Sequence, residues 1–531
     1  MTTPPDLDGL PPEWREFVLK LLAEISEQKQ LIAELREELA RLKGLSGRPS
    51  IKPSGMDQGT TPKPRDQRTG RRGRGKTTPR VSVEDQMVPA EVPPGSRFKG
   101  YEDFVVQDLV LRARTIRYRR ERWITPDGRT VIAPLPAGIS GHFGPELRRF
   151  VLAQYHQGQV TVPRLVEQLN GIGVSISKRQ VMRLLIGNQE DFLTEARDVL
   201  RAGLQSASWV TVDDTGARHK ASNGFCTQIG NDTFAWFGTT KSKSRLNFLD
   251  LLRAEYTDYV VNDAALSYMR GRVLAGPIIA RLAEHPDKQF ADPPAWQAHL
   301  ERLGITALTV TPDPVQIATE SLPRAKAGGA LWGSIQSHDF LRDTVIVSDD
   351  AGQFAVGLHA LCWIHAERLV HKLDTFTDHQ RAAQQQVRSL IWQFYADLKD
   401  YCRTPTPWQR AHLNERFDYI FRRRTGFVTL DRLLQRLHAN KAELLTALDH
   451  PDIPLHTNTS ENDIRCQVTK RKVSGGTRSD VGRDCRDAFL GLAKTCAKLG
   501  IAFWNYLGSR LSVPDQPIIP ALPDLIRGQP P

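Results

Sequence analysis

The 531-residue sequence predicts an α/β protein: a mixed sheet with helical insertions, preceded by a helix-turn-helix layout and an N-terminal coiled coil. Three observations carry this. β-Branched runs near 209–212, 224–240 and 344–348 are interleaved with amphipathic helical stretches. Three short helical segments separated by glycine-containing turns precede them, and a heptad seam opens the chain. With 40% hydrophobic and 25% charged residues the composition is that of a globular protein, and the length calls for two or more domains. No apolar run approaches a bilayer span, and MTTPPDLDGLPPEW lacks a signal-peptide layout, so no membrane partner and a cytoplasmic location are expected. Six scattered cysteines without a C-x-x-C pair suit reduced thiols. A formal charge of +12 points to a polyanion, with nucleic acid the usual one.

Residues 1–43 carry the seam. Val18, Leu21, Ile25, Gln28, Ile32, Leu35, Leu39 and Leu42 fall at alternating three- and four-residue steps, so self-association through a coiled coil is expected. Residues 44–97 lose apolar content and read as a basic linker. Its Arg71, Arg72 and Arg74 sit among glycines and can lie along phosphates or in a narrow minor groove. Residues 98–140, with ARTIRYRRERWIT and GRTVIAPLPA split by PDG, read as a small β-rich module. Within 141–190, GPELRRFVLAQYHQG, TVPRLVEQLNGIG and SISKRQVMRLLIG give the three helices of a DNA-binding helix-turn-helix. In the third, Val181, Leu184 and Leu185 can face a core while Lys178, Arg179 and Arg183 stay outside for DNA. Residues 200–510 form the domain that carries chemistry, with helical insertions at about 255–340 and 366–450, and 511–531 reads as a tail.

The chemistry begins where SWVTVDDTG drives a buried strand into Asp213 and Asp214. GFCTQIG and TFAWFGTT, joined by ND, then read as a hairpin. DTVIVSDDAGQF repeats the first event, ending in Asp349 and Asp350. Two strand-end carboxylate pairs on one sheet make a candidate metal site, and magnesium chemistry on phosphodiesters recruits a third acid. Glu461 supplies it, in the first turn of a helix that Thr459 or Ser460 can cap. Asp463 falls on another face of that helix. Lys470, Arg471, Lys472 and Arg478, around Gly475 and Gly476, follow as a phosphate-holding stretch. His359, Cys362, His365 and His371 could hold zinc. Without a second close ligand pair they read instead as a strand-to-helix junction, in which Cys362 and Trp363 pack and His365 makes a hydrogen bond.

VDDTG, VSDDAGQF, CWIHAERLVHKL and the C-terminal TNTSENDIR with KVSGGTRSDVGRDCRDAFLGLAKTCAKLGIAFWNYL resemble, in this order, the motifs of the insertion-sequence-66 family of transposases. The resemblance spans roughly residues 140 to 510. It implies an RNase H-like catalytic core with the DDE triad at Asp213, Asp349 and Glu461, and magnesium or manganese as the cofactor. It implies cleavage of the element's ends and joining of the 3′-hydroxyls to target DNA, on the nucleoid of a prokaryotic cell. Small accessory proteins of the same element are possible partners. Cys362 and His365 match a C-x-x-H element of related cores. Asp214 and Gly216 depart from the family's D-E-T-P, which leaves Asp213 and Asp214 to be told apart, and strand alternation puts them on opposite faces. The cysteines of the family's zinc finger are absent from 98–140. An inactive DNA-binding regulator and a structure-selective nuclease are the rival readings.

Overall fold

The computed structural model describes residues 83–136, 141–305 and 322–528. The heptad helix and the basic segment with Arg71, Arg72 and Arg74 lie outside the described residues. The chain divides into two units at Asp108 and Leu109. The described part of the first, residues 83–108, holds no helix or strand.

The second unit opens with a hairpin, β1 (Arg122–Ile124) and β2 (Thr130–Ile132), turned by Gly128 at a φ of +82°. Among the described residues, the β-rich module expected at 98–140 holds two three-residue strands. The arginine-rich stretch before β1 has neither a pairing partner among the described residues nor a buried face, and a strand needs both.

Three short helices follow: α1 (Pro145–Leu152), α2 (Val162–Gly171) and α3 (Lys178–Ile186). Proline in the first turn suits the starts of α1 and α2, and α1 runs on into a π-helical turn, Ala153–Gln157. Ser177 and Gln180 form a reciprocal capping box that starts α3. Val181 and Leu185 of α3 are buried, whereas Lys178, Arg179 and Arg183 are exposed. The inner faces of these helices share one core with α4 (Glu190–Ser206).

Next come β3 (Trp209–His219), β4 (Ser222–Gly230), β5 (Ala235–Thr240) and α5 (Arg245–Leu252). A first insertion then holds β6 (Tyr259–Val260), α6 (Asp263–Gly271), α7 (Gly276–Glu284), β7 (Gln289–Phe290) and α8 (Pro293–Arg302) around a core of its own, which includes Leu266, Ile278 and Trp296. Helix α9 (Leu322–Ser337) leads back to β8 (Val345–Ser348), β9 (Leu358–Leu361) and α10 (Trp363–His371). The second insertion is helical: α11 (Asp378–Arg403), α12 (Pro407–Phe421), α13 (Val428–Ala439) and α14 (Lys441–Leu444). The chain closes with α15 (Asn458–Ser474), α16 (Asp480–Lys498), α17 (Phe503–Arg510) and α18 (Leu522–Arg527).

The main sheet has the order β5-β4-β3-β8-β9, antiparallel from β5 to β3 and parallel from β3 to β9. All four residues of β8 are buried, as expected of a parallel strand covered on both faces. Ile346 joins the core under α4, while Val345 and Val347 join the core of the second insertion. Alternation thus sorts the two helical layers. Thr211 pairs with Val347, so Asp213 and Asp349, each two residues further on, come side by side where β8 ends. Contrary to the sequence expectation, β3 itself does not stop at the acids but runs on to His219, because β4 pairs with it that far, with Asp213 opposite Gln228.

The segment read as a tail is folded. Leu522 and Ile526 of α18 enter the core beside α4, and Glu195 accepts from the Leu522 amide at 3.0 Å. Six residues, LPDLIR, are too few to show a helical period in sequence. Among the described residues no helix is long and apolar enough to cross a membrane.

Candidate active site

The two acid pairs split in the same way. Asp214 is almost fully buried, pairs with Lys243, and accepts from Gln353 Nε2 at 2.8 Å. Asp350 pairs with Arg436 and accepts from Asn440 at 3.4 Å. Their neighbours, Asp213 and Asp349, have no ion pair among the described residues. Asp213 Oδ1 accepts from the Asp214 amide at 2.7 Å, and Asp349 Oδ1 from the Ala351 amide at 3.2 Å. Burial pushes the Asp213 carboxyl up to about 6; the Asp214 amide pulls it down, and the negative charges of Asp349, Asp214 and Glu461 add to the rise.

Glu461 stands in the first turn of α15, where the helix dipole favours an anion. The cap expected from Thr459 or Ser460 is not made by either. The helix starts earlier, at Thr457 and Asn458, and Ser460 Oγ donates to the Thr457 carbonyl at 3.0 Å. The Glu461 carboxylate lies 3.5 Å from His365 Nε2 and 3.7 Å from Arg368. A hydrogen bond to Cys362 raises His365. Burial pushes the Cys362 thiol up, but its hydrogen bond to His365 and the charge of that ring outweigh this, and the net shift is downward. Asp463 is buried elsewhere, 2.9 Å from Lys498 and 3.5 Å from Lys494. His359 sits between Ser348 Oγ at 2.7 Å and Glu443 at 3.1 Å, and Trp363 is packed in the core.

A cleft of about 350 Å³ opens beside Asp349, lined among others by His365, Arg368, Lys372 and Arg436. Sequence reasoning missed Lys243, Gln353, Arg368 and Arg436. The first two carry no local pattern, and the two arginines look like ordinary basic positions on helices.

The basic stretch after Glu461 divides. Lys470 is completely buried: its Nζ donates to the Tyr155 carbonyl and lies 3.3 Å from the centre of the Tyr155 ring. Burial, with Arg486 nearby, pushes its ammonium down to about 7. Lys470 is therefore no DNA contact, contrary to the sequence expectation; it ties α15 to the π turn after α1. Arg471 is half-buried and donates to the Gly216 carbonyl, while Lys472 and Arg478 remain exposed. Thr477 donates its amide to Arg218 O at 2.9 Å and accepts from the Lys220 amide at 2.8 Å. The helix of Glu461 is thereby fastened to the strand of Asp213.

A family model described as "Transposase IS66 family" matches residues 140–278 and 344–484, together just over half of the chain. The chain belongs to the IS66 transposase family. Both matched blocks hold acids of the site: Asp213 lies in the first, and Asp349 and Glu461 lie in the second. The unmatched interval, 279–343, begins inside α7 and takes in β7, α8 and α9, so the match breaks off part-way through the first insertion. It is 51% identical over 322 residues to "Uncharacterized protein y4jO" of Sinorhizobium fredii, a match covering 61% of this chain and 97% of the relative. Family membership implies a DNA-processing enzyme, and DNA as its partner.

The donor set of this IS66-family site fits a hard divalent cation in chemistry: carboxylate oxygens, with Asp213 held among the negative charges of Asp349, Asp214 and Glu461. Among the described residues no three His, Cys, Asp or Glu side chains form a ready-made metal cage. The observed fit is therefore one of charge and donor type. That charge has a measurable cost. Because the folded carboxyl of Asp213 titrates near 6 rather than 3.8, the folded state holds a proton that the unfolded chain releases between those values. The penalty is absent below about 4, grows as pH rises, and is complete above about 6. Asp213→Asn is therefore expected to raise the thermal midpoint in EDTA at pH 8 by roughly 2 °C or more. The gain should shrink as pH falls toward 4.5, and magnesium should stabilise the wild type more than the variant. Differential scanning calorimetry reads both effects. A gain that does not change with pH would remove the electrostatic account.

Proposed function

We propose that the chain is a DNA transposase that cleaves the ends of its own element and joins the freed 3′-hydroxyls to target DNA. The observation that carries this is the parallel pairing of β3 with β8, which sets Asp213 beside Asp349 at the end of β8, with Glu461 near enough for its charge to raise the Asp213 carboxyl. The strand order, three antiparallel followed by two parallel additions, supports an RNase H-like core. The capped, basic α3 supports a helix-turn-helix reading of α1–α3, and the heptad seam supports pairing of two protomers.

Asp213, Asp349 and Glu461 would hold magnesium or manganese. When bound, these ions supply an activated water and neutralise charge at the leaving oxygen. His365 and Arg368 orient the Glu461 carboxylate from α10. Lys372, exposed at the rim of the cleft, would hold a phosphate of the scissile strand, with Lys472 and Arg478 adding charge nearby in sequence to Arg471. Lys178, Arg179 and Arg183 would read the element's end from the major groove.

A linear fragment bearing one end of the element, incubated with the chain, magnesium and a target plasmid, tests the proposal. Nicking at the end followed by a fragment–plasmid product is expected. Cleavage without joining would leave a nuclease. Binding without cleavage would leave a regulator.

A further inference from the structure

The segment before α1 is charged and uncovered in a way that the catalytic reading does not use. Between Leu109 and Ile132 there are seven arginines, from Arg112 to Arg129, against two acids, Glu121 and Asp127. Asp127 is matched by Arg129, and Glu121 accepts from the Trp123 indole at 3.0 Å, so among the described residues the excess positive charge stays unneutralised. Every arginine in this stretch is exposed. The hairpin itself is bare on both faces: Trp123, Ile124, Val131 and Ile132 are 65%, 73%, 52% and 47% exposed. An isolated two-stranded hairpin is marginal in water, so a surface of this kind is built to be covered.

The structure also places it. From Tyr101 to Ile124 only Ala113 is half-buried, and its Cβ lies 3.7 Å from the point where a Cβ on Gly173 would stand. Gly173, at a φ of +92°, lies between α2 and α3, just ahead of the helix that carries Lys178, Arg179 and Arg183. The arginine stretch therefore runs past the turn that leads into the exposed basic helix.

We propose that residues 112–132 are a second DNA-binding element, a basic β-ribbon that lies on the duplex next to α3. The proposal rests on the chain being a DNA-processing enzyme. The major groove of B-DNA admits a two-stranded ribbon as it admits a helix. Arginines on the approach to the ribbon meet phosphates, and Trp123 offers an apolar face to sugar or base edges. Charge complementarity selects the occupant: a surface with five net positive charges over this length repels a second copy of itself and attracts a polyanion.

The test uses the full chain and a labelled 40-base-pair duplex of scrambled sequence, titrated at several salt concentrations. Arg117→Ala/Arg119→Ala/Arg122→Ala is expected to flatten the slope of log K against log salt by between about 2 and 3, at about 0.9 per lost phosphate contact. Because these side chains are exposed, the thermal midpoint should stay at the wild-type value. The triple lysine variant should keep most of the slope, since phosphate reads charge. Equal slopes for wild type and the alanine variant would overturn the proposal. So would unchanged DNA binding with a lower mass in light scattering, which would make the ribbon a contact between copies. A wild type that binds no duplex at all would instead bring down the transposase reading itself.

Discussion

Asp213→Ala, Asp349→Ala and Glu461→Gln are each expected to lower end cleavage by at least about a thousandfold, while DNA affinity stays within about twofold. The reason lies in how the acids are partnered. Among the described residues, Asp213 and Asp349 are the members of their pairs that no cation neutralises, and removing either takes charge from the shared cluster. Affinity comes from basic groups that the substitutions leave alone. Asp214→Asn is the informative contrast: it removes the charge that pairs with Lys243 and leaves one acceptor oxygen where Lys243 and Gln353 now use two, and so should loosen this part of β3 without abolishing chemistry. Single-turnover cleavage with magnesium, beside equilibrium binding, separates the two effects. An active Asp213→Ala with a dead Asp214→Ala would reverse the assignment. Normal cleavage by all three triad variants would end the catalytic proposal.

Trp363→Ala is expected to cost about 3–5 kcal/mol, the usual range for emptying a large aromatic site. Trp363 begins α10, is 2% exposed, and lies against Phe394 and Phe417 at centroid distances of 5.0 and 6.1 Å. Its indole donates to Leu444 O at 2.9 Å, joining β9 and α10 to the far end of the second insertion. Truncation leaves both a cavity and an unpaired carbonyl. Trp363→Phe keeps most of the ring volume and should lose only about 1–3 kcal/mol, the cost of the orphaned acceptor. Urea unfolding followed by circular dichroism measures both. Helix α10 also carries His365 and Arg368, so cleavage should fall in the Ala variant even where the protein remains folded. An unfolding midpoint equal to wild type in Trp363→Ala would mean that the second insertion packs independently of this side chain.

How much could be read beforehand follows from how local each signal is. The strands of the main sheet were legible where they are short β-branched runs closed by turn residues, and β8 with its buried VIVS is the plainest case. The end of β3 was not, since only its pairing with β4 carries it past Asp213 and Asp214 to His219. The split of the two acid pairs was only half legible. Alternation says that Asp213 and Asp214 face apart, but Lys243 and Gln353, which decide between them, come from segments that meet only in the fold. Lys470 misled for a different reason. The buried stripe of α15 runs Ser460, Asp463, Ile464, Gln467, Lys470, helical in spacing but polar in content. A hydrophobic period cannot reveal such a stripe, and charge gives no direction. The arginine stretch before β1 misled in the opposite sense, since its alternation looks like a strand but none of the described residues pairs with it.

The pairing order of the central sheet bears on how the chain is made. While the protein is being synthesised, β3, β4 and β5 emerge together and can zip up at once, since their contacts are antiparallel and local. The other edge of β3 has to wait for β8, which begins at Val345, on the order of ten seconds later at ordinary elongation rates. Until then a buried-type strand stands with an open edge, the kind of surface that captures other strands. The intervening insertion, with a core of its own, can fold during that wait. It would keep the emerging chain compact beside the open edge, and lengthening or unfolding it should show first as poor yield of soluble protein rather than as altered chemistry.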